Sequence, residues 1–332
     1  MKTALLCLCI LLSSCAGKPE RPKVRIACLG VGLQTMHMPI TLAQSLGHYK
    51  EEGLDVTLEN LSSNSKTLQA LMGGSVDVAA IHYLQTIQMA VEGQRIRSFF
   101  LMTQRSGAAL LVAQSANAKI HSLADLKGAV IGVPSIGSPT HMLLSYFLQK
   151  HGVPPAEVTA VNIAVAASAV AAFESGRIDA AAFSSGDHFR ALRRNPALRI
   201  LMDSSTEEGR RELFGDDYYA AGALAAKQEW LDGNPDTARR LARALQRTQH
   251  WIATHTPEEI REKLPEGLRS EDAAVDIDIL RWSLRTFTPD GQMPKGAPEA
   301  MKRMLDATTD KVRDTKIDLA STWTNDYLTD TK

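Results

Sequence analysis

The chain has 332 residues, with 37 Lys+Arg against 37 Asp+Glu and 44% apolar residues. That length accommodates two domains, each large enough for its own core, and the zero formal charge removes the basic field that a phosphate-gripping nucleic-acid binder needs. Balanced composition without low-complexity tracts excludes a disordered or fibrous chain.

The N-terminus opens with Met1-Lys2 and an unbroken apolar run, Ala4 to Leu12 (ALLCLCILL), well short of the ~20 residues that span hydrocarbon as a helix. Together they read as the n- and h-regions of a secretion signal. The run ends in Leu12-Ser13-Ser14-Cys15, which resembles the lipobox of bacterial lipoproteins. That resemblance implies cleavage before Cys15 and a lipid on its thiol. Residues 1–14 are then a signal peptide and 15–23 a lipidated tether (AGKPERPK after the Cys). Cys7 and Cys9 leave with the signal, so Cys28 is the one free thiol, in the apolar stretch Arg25 to Leu29 and expected to be buried.

The body reads as a duplication. Ala70 to His82 (ALMGGSVDVAAIH) and Ala172 to Ser184 (AFESGRIDAAAFS) share one pattern at an offset of 172 − 70 = 102 residues. The same offset aligns Asp55 to Leu61 with Glu157 to Ile163, and Leu29-Gly30-Val31 with Ile131-Gly132-Val133. Each copy predicts a strand (24–31; 129–133), a helix (39–49; 139–151), a second strand (56–61; 158–163), a helix ending at Gly74 or Gly176, and a third strand (76–81; 178–183). Alternation of this kind implies parallel βαβ units. Extra strands are expected over 97–103 and 109–113 after the first copy, and over 198–202 and 218–226 after the second, the last returning to the first domain. From Asp236 onward apolar residues repeat at helical spacing.

Several passages carry a resemblance. Ala43 to Val56 (AQSLGHYKEEGLDV), Gly74 to Ala79 (GSVDVA), Leu123 to Val133 (LADLKGAVIGV) with Gly137 to His141 (GSPTH), Gly176 to Ala182 (GRIDAAA), and Asn234 to Pro257 occur in one order. Together they resemble the periplasmic substrate-binding proteins of ABC importers, in the nitrate/sulfonate/taurine and thiamine-precursor (NMT1/THI5-like) group. The resemblance implies an α/β, two-lobed periplasmic-binding-protein fold (type II), each lobe a βαβ-based, mostly parallel sheet flanked by helices, with C-terminal helices added. Residues 24–113 and 206–332 would form lobe 1, and 114–205 lobe 2. It further implies a monomer without enzymatic activity or cofactor, partnered by a small-molecule solute and an ABC permease, and lipid-anchored at the bacterial cell envelope facing the periplasm or exterior.

In open parallel sheets ligands bind beyond the C-terminal strand ends. The candidate ligand residues are therefore Gln34, Thr35 and His37 after the first strand, Ser63 and Asn64 after the second, and His82 and Tyr83 after the third. In the second copy they are Gly137, Ser138, Thr140 and His141, then Ser184 and Asp187, with Asp216 and Tyr218 from the return segment. Ser138 suits an N-cap and Pro139 the first helical position, so this start favours an oxyanion, with Gly137 letting a ligand approach the backbone. No Arg falls in these loops, so anion recognition would rest on backbone and hydroxyl donors. All four Trp lie in the last third, away from the loops, which points to an alkanesulfonate, taurine or nitrate, with a taurine ammonium paired to Asp187 or Asp216. A thiamine-type pyrimidine is the alternative. His37, His82, His141 and His188 lack ligand spacing for a metal. No GxSxG or HExxH motif appears, and the cysteine-rich signature of pyrimidine-synthesising relatives is absent.

The lipobox reading predicts that Cys15→Ser releases the protein from membranes in cell fractionation. Undiminished membrane association of that variant would contradict it.

Overall fold

The computed structural model describes residues 21–29, 33, 35–163, 166–215 and 218–329; the signal segment and Cys15 lie outside them. Ten strands among these residues, β1 (Lys23–Leu29), β2 (Asp55–Leu61), β3 (Val78–His82), β4 (Ile96–Leu101), β5 (Ala108–Val112), β6 (Val130–Val133), β7 (Thr159–Asn162), β8 (Ala180–Ser184), β9 (Arg199–Asp203) and β10 (Gly222–Lys227), form two five-stranded sheets. Their orders are β2-β1-β3-β10-β4 and β7-β6-β8-β5-β9. In each sheet one strand, β10 or β5, runs antiparallel to both neighbours. The others share a direction, as βαβ crossovers require. β5 is buried along its whole length and β3 along all but its last residue, as sheets covered by helices on both faces demand. Cys28 is fully buried within β1.

The matching strand orders place β6, β7 and β8 where β1, β2 and β3 stand. The pairing register measures the offset directly. Ile26 lies opposite Leu58 and Val78, and Ile131 opposite Ala160 and Ala180. The second and third strands therefore match at 160 − 58 = 102 and 180 − 78 = 102, while the first matches at 131 − 26 = 105. Alignment of Leu29-Gly30-Val31 with Ile131-Gly132-Val133 is thus a coincidence of similar residues. The connection from first to second strand is three residues shorter in the second copy.

Two further differences from the sequence reading have physical causes. The helix expected over 39–49 is two, Met38–Ser45 and His48–Glu51, broken at Gly47, whose φ of 83° ends the first. The run 109–113, assigned to lobe 1, is β5 and fills the slot between β8 and β9 of the second sheet, as β10 fills the slot between β3 and β4 of the first. Each sheet therefore takes one strand from the chain as it crosses, and the first crossing is 102–107, ahead of the expected boundary at 113. An apolar run with no alternation carries no mark of which sheet it joins.

The second crossing, 204–221, runs beside the first. Met102 N donates to Gly222 O at 2.7 Å, Ala221 N to Thr103 O at 3.0 Å, and Ser204 N to Ala108 O at 2.9 Å. Gly222 N donates to Thr103 Oγ1 at 2.7 Å, and the Ser106 and Ser204 hydroxyls are 2.5 Å apart.

The C-terminal helices do not pack on the first half alone. Helix Pro235–Thr254 buries Leu241 and Leu245 with Val24 and Ile26 of β1. Helix Ala297–Thr308 instead packs on both Tyr83–Val91 and Pro139–Lys150, its Met301, Met304 and Leu305 sharing one buried cluster with Ile87 and Phe147. A second bridge joins helix Ala273–Ser283 to helix Asp187–Arg194. There Asp276, 1% exposed, accepts from Arg261 at 3.1 Å, Arg190 at 3.4 Å and the Ser270 hydroxyl at 2.7 Å.

Removing this buried carboxylate takes its ion-pair partner from Arg261 and one of two from Arg190, which keeps Asp187 at 3.4 Å. Asp276→Ala is expected to lower unfolding free energy by ~3 kcal/mol in urea titration; a loss under ~1 kcal/mol would contradict this account of the bridge.

Candidate functional site

A cleft of about 620 Å³ opens between the two sheets at the C-terminal ends of their parallel strands. The first half contributes Leu29 from the end of β1, Ser62 to Ser65 after β2, and His82 with Gln85 and Gln88 after β3. The second half contributes 134–140 after β6 and Ser184-Ser185 after β8. The floor comes from the paired crossings: Thr103, Arg105, Ser106, Gly107 and Ala108 from the first, Tyr219 and Ala221 from the second.

Two helices begin at the cleft walls. Ser63 caps Asn64–Gly73 by accepting from Lys66 N at 3.2 Å, and Ser138 caps Pro139–Lys150 by accepting from His141 N at 3.2 Å. Each start leaves backbone amides uncommitted. Around Ser138 the amides of Ile136, Gly137 and Ser138 are used, by Asn162 Oδ1, His141 Nδ1 and Ser135 O, and Pro139 has none, which leaves that of Thr140. Around Ser63, those of Asn64 and Ser65 have no partner among the described residues. Gly137 is required for its φ of 80°, a left-handed conformation that residues with a side chain rarely adopt. Ser185, just past β8, holds a left-handed φ of 55°, uncommon strain for a residue with a side chain and placed on the cleft wall.

Among the described lining residues Arg105 is the single charged side chain, and no carboxylate is present. Its guanidinium is held from behind, by Ser205 O at 3.0 Å and Glu207 Oε2 at 3.0 Å, while its Nε is buried without a hydrogen-bond partner. Glu207 also receives Arg210 and Arg211. The Arg210 hydrogen bonds and the surrounding positive charge bring its carboxyl down to about 2, so three guanidinium groups face one carboxylate. Of the three guanidinium groups, that of Arg105 lines the cleft.

Seven of the sequence candidates meet at the cleft: Ser63, Asn64, His82, Gly137, Ser138, Thr140 and Ser184. Five do not. His37 is buried and accepts from Leu29 N at 3.2 Å. Tyr83 points into the core, its hydroxyl 2.6 Å from that of Thr322. His141 supports the loop by accepting from Gly137 N at 2.9 Å. Asp187 pairs with Arg190 at 3.4 Å, and Tyr218 lies under the Arg210 guanidinium, 5.0 Å from its ring centre. Gln34, Asp216 and the Thr35 side chain lie outside the described residues. Arg105, Gln85, Gln88 and Thr286 line the cleft without having been singled out, as does Tyr219 from the return segment that was. The signal for Arg105 was the polar break Thr103 to Gly107 between two apolar runs, which marks a crossing only once the runs are known to join different sheets.

A family model described as NMT1/THI5 like matches residues 34–260. YtlA, a candidate binding protein of Bacillus subtilis (strain 168), is 23% identical over 306 residues, 89% of this chain and 86% of its own length. A solved structure from Bordetella bronchiseptica RB50 is 34% identical, with a TM-score of 0.79 over 94% of this chain and 97% of that one. The periplasmic aliphatic sulphonate binding protein SsuA of Escherichia coli superposes with a TM-score of 0.73 and 20% identity over 92% of this chain and 99% of its own, a likeness of fold.

Burial holds three imidazoles neutral: His82 down to about 4, His37 to about 3 with His82 adding to the effect, and His188 to about 4 against the opposing pull of Asp203. At pH above 6.5 folded and unfolded chains bind the same protons at these sites. As pH falls from 6.5 toward 4 only the unfolded chain takes them up, so stability falls by about 1.4 kcal/mol per pH unit for each histidine. Thermal unfolding at successive pH values is expected to show Tm dropping steadily below pH 6.5; a flat Tm down to pH 4.5 would contradict the neutral, buried assignment.

Proposed function

The chain belongs to the NMT1/THI5-like family, and from that premise we propose that it is the extracytoplasmic solute-capturing component of an ABC-type importer, tethered through a lipid on Cys15 and holding a small organic anion of the alkanesulfonate kind. The observation that carries this reading is the charge pattern of the cleft: one guanidinium, no carboxylate among the described lining residues, and a buried Nε–H without a partner. Hydroxyls of Ser138 and Thr140 and the uncommitted Thr140 amide of the second helix start supply the remaining donors, that start adding about half a positive charge. An oxyanion satisfies these groups at once, and an unpaired buried donor otherwise costs free energy.

The cleft volume of about 620 Å³ falls in the range that takes organic molecules, about 300–1,000 Å³, which favours an alkanesulfonate over a bare inorganic anion such as nitrate. Leu68, Met142 and Leu143 on the walls give an alkyl segment apolar surface to cover. The crossings that form the floor are the segments about which the halves bend, so closure over the solute would create the shape a permease senses. The solute is captured and released unchanged.

Thermal-shift measurements with alkanesulfonates, nitrate, carboxylates and pyrimidines test the reading. Alkanesulfonates are expected to stabilise the protein by ~2.7 kcal/mol at a hundredfold excess over Kd. Arg105→Leu, with its own unliganded Tm as reference, should weaken binding at least ~10-fold, and Arg105→Lys should keep part of the affinity. Stabilisation by pyrimidines alone, undiminished sulfonate binding in Arg105→Leu, or recovery of a chemically altered ligand would overturn it.

A further inference from the structure

The half of the cleft opposite the second helix start is built from neutral polar groups. Asn64 Oδ1 and His82 Nδ1 are both buried without a hydrogen-bond partner, although both residues line the cleft. Gln85 Oε1 accepts from His82 N at 3.1 Å and, being an acceptor itself, gives the Asn64 oxygen no partner. His82 is uncharged at neutral pH because burial brings it down to about 4. Of the two acids that the sequence offered for an ammonium, Asp187 is turned to Arg190, and Asp216 lies outside the described residues.

We infer that the captured anion carries at its far end a neutral hydrogen-bonding group such as an amide, and that the cleft discriminates against an aminated zwitterion such as taurine. This rests on the organic-anion reading above. An ammonium entering the cleft would lose its hydration with no carboxylate among the described lining residues to receive it, and would share the space with Arg105, a charge of the same sign. A neutral N–H loses far less hydration and gives the Asn64 oxygen the partner it lacks. Specificity then comes from placing amide and imidazole groups, not an acid, at this end, since a site with unpaired polar groups rejects ligands that cannot pair them.

Titration calorimetry with ethanesulfonate, taurine and N-acetyltaurine tests this, with one sulfonate head and three tails. N-acetyltaurine is expected to bind at least ~10-fold tighter than ethanesulfonate, and taurine weakest of the three. Asn64→Asp keeps a residue favoured at a helix start and should reverse the preference, taurine gaining and N-acetyltaurine losing. Asn64→Leu should erase the advantage of N-acetyltaurine, bringing its Kd to within ~3-fold of that of ethanesulfonate measured on the same variant. Taurine binding as tightly as ethanesulfonate, or N-acetyltaurine binding no tighter, would overturn the inference with the anion reading intact. Binding of none of the three would overturn the anion reading and this inference with it.

Discussion

The structure depends on an exchange: each sheet is completed by a strand delivered as the chain passes between the halves. β5 closes the second sheet after the first crossing and β10 closes the first sheet after the second. Because both exchanged strands run antiparallel between fixed neighbours, the two crossings are forced side by side, where Thr103, Ser204 and Gly222 bond them together. A cleft floored by the two crossings is the geometric consequence. Whatever stands on that floor faces both walls at once, and the charged residue standing there is Arg105. Its ion pair with Glu207 draws on the second crossing, so the guanidinium is aimed by the same contact that holds the crossings together.

The walls follow from the duplication. Parallel strands all present their C-terminal ends, and the following helices all present their N-termini, to one edge. Two such edges facing each other bring the starts at Ser63 and Ser138 to one cavity. A neutral chain thereby gathers at one cavity the partial positive charge of two helix starts and the Arg105 guanidinium of the floor. The helix Ala297–Thr308 and the Asp276 bridge also join the two halves, in addition to the crossings.

Much of this was legible in the residues. The βαβ order, the return of the segment after 218 to the first sheet, the two serine caps and the loops at Ser63, Ser138 and Ser184 were all readable from apolar runs, capping residues and repeated Gly-x-Val/Ile-Asp segments. What was not readable shares one cause, namely that sequence pattern reports local environment and not partnership. Ala108 to Val112 is apolar on both faces and would look the same in either sheet. Tyr83 and His37 follow strands as ligand residues do, yet one turns to Thr322 and the other back to Leu29. Tyr218 and Tyr219 are adjacent, and only the second reaches the cleft. Arg105 carried no sign at all until the crossing was known. The match of Leu29-Gly30-Val31 to Ile131-Gly132-Val133 shows the converse, a similarity of residues without a shared register.

The claim on which the account turns is that the floor guanidinium meets the anion. A crystal structure of the protein with a bound alkanesulfonate decides it most directly. The account predicts a sulfonate oxygen within hydrogen-bond distance of Arg105 Nε, with further oxygens on the Thr140 amide or the hydroxyls of the Ser138 helix start. A sulfonate held elsewhere in the cleft, with Arg105 Nε still without a partner, would contradict it.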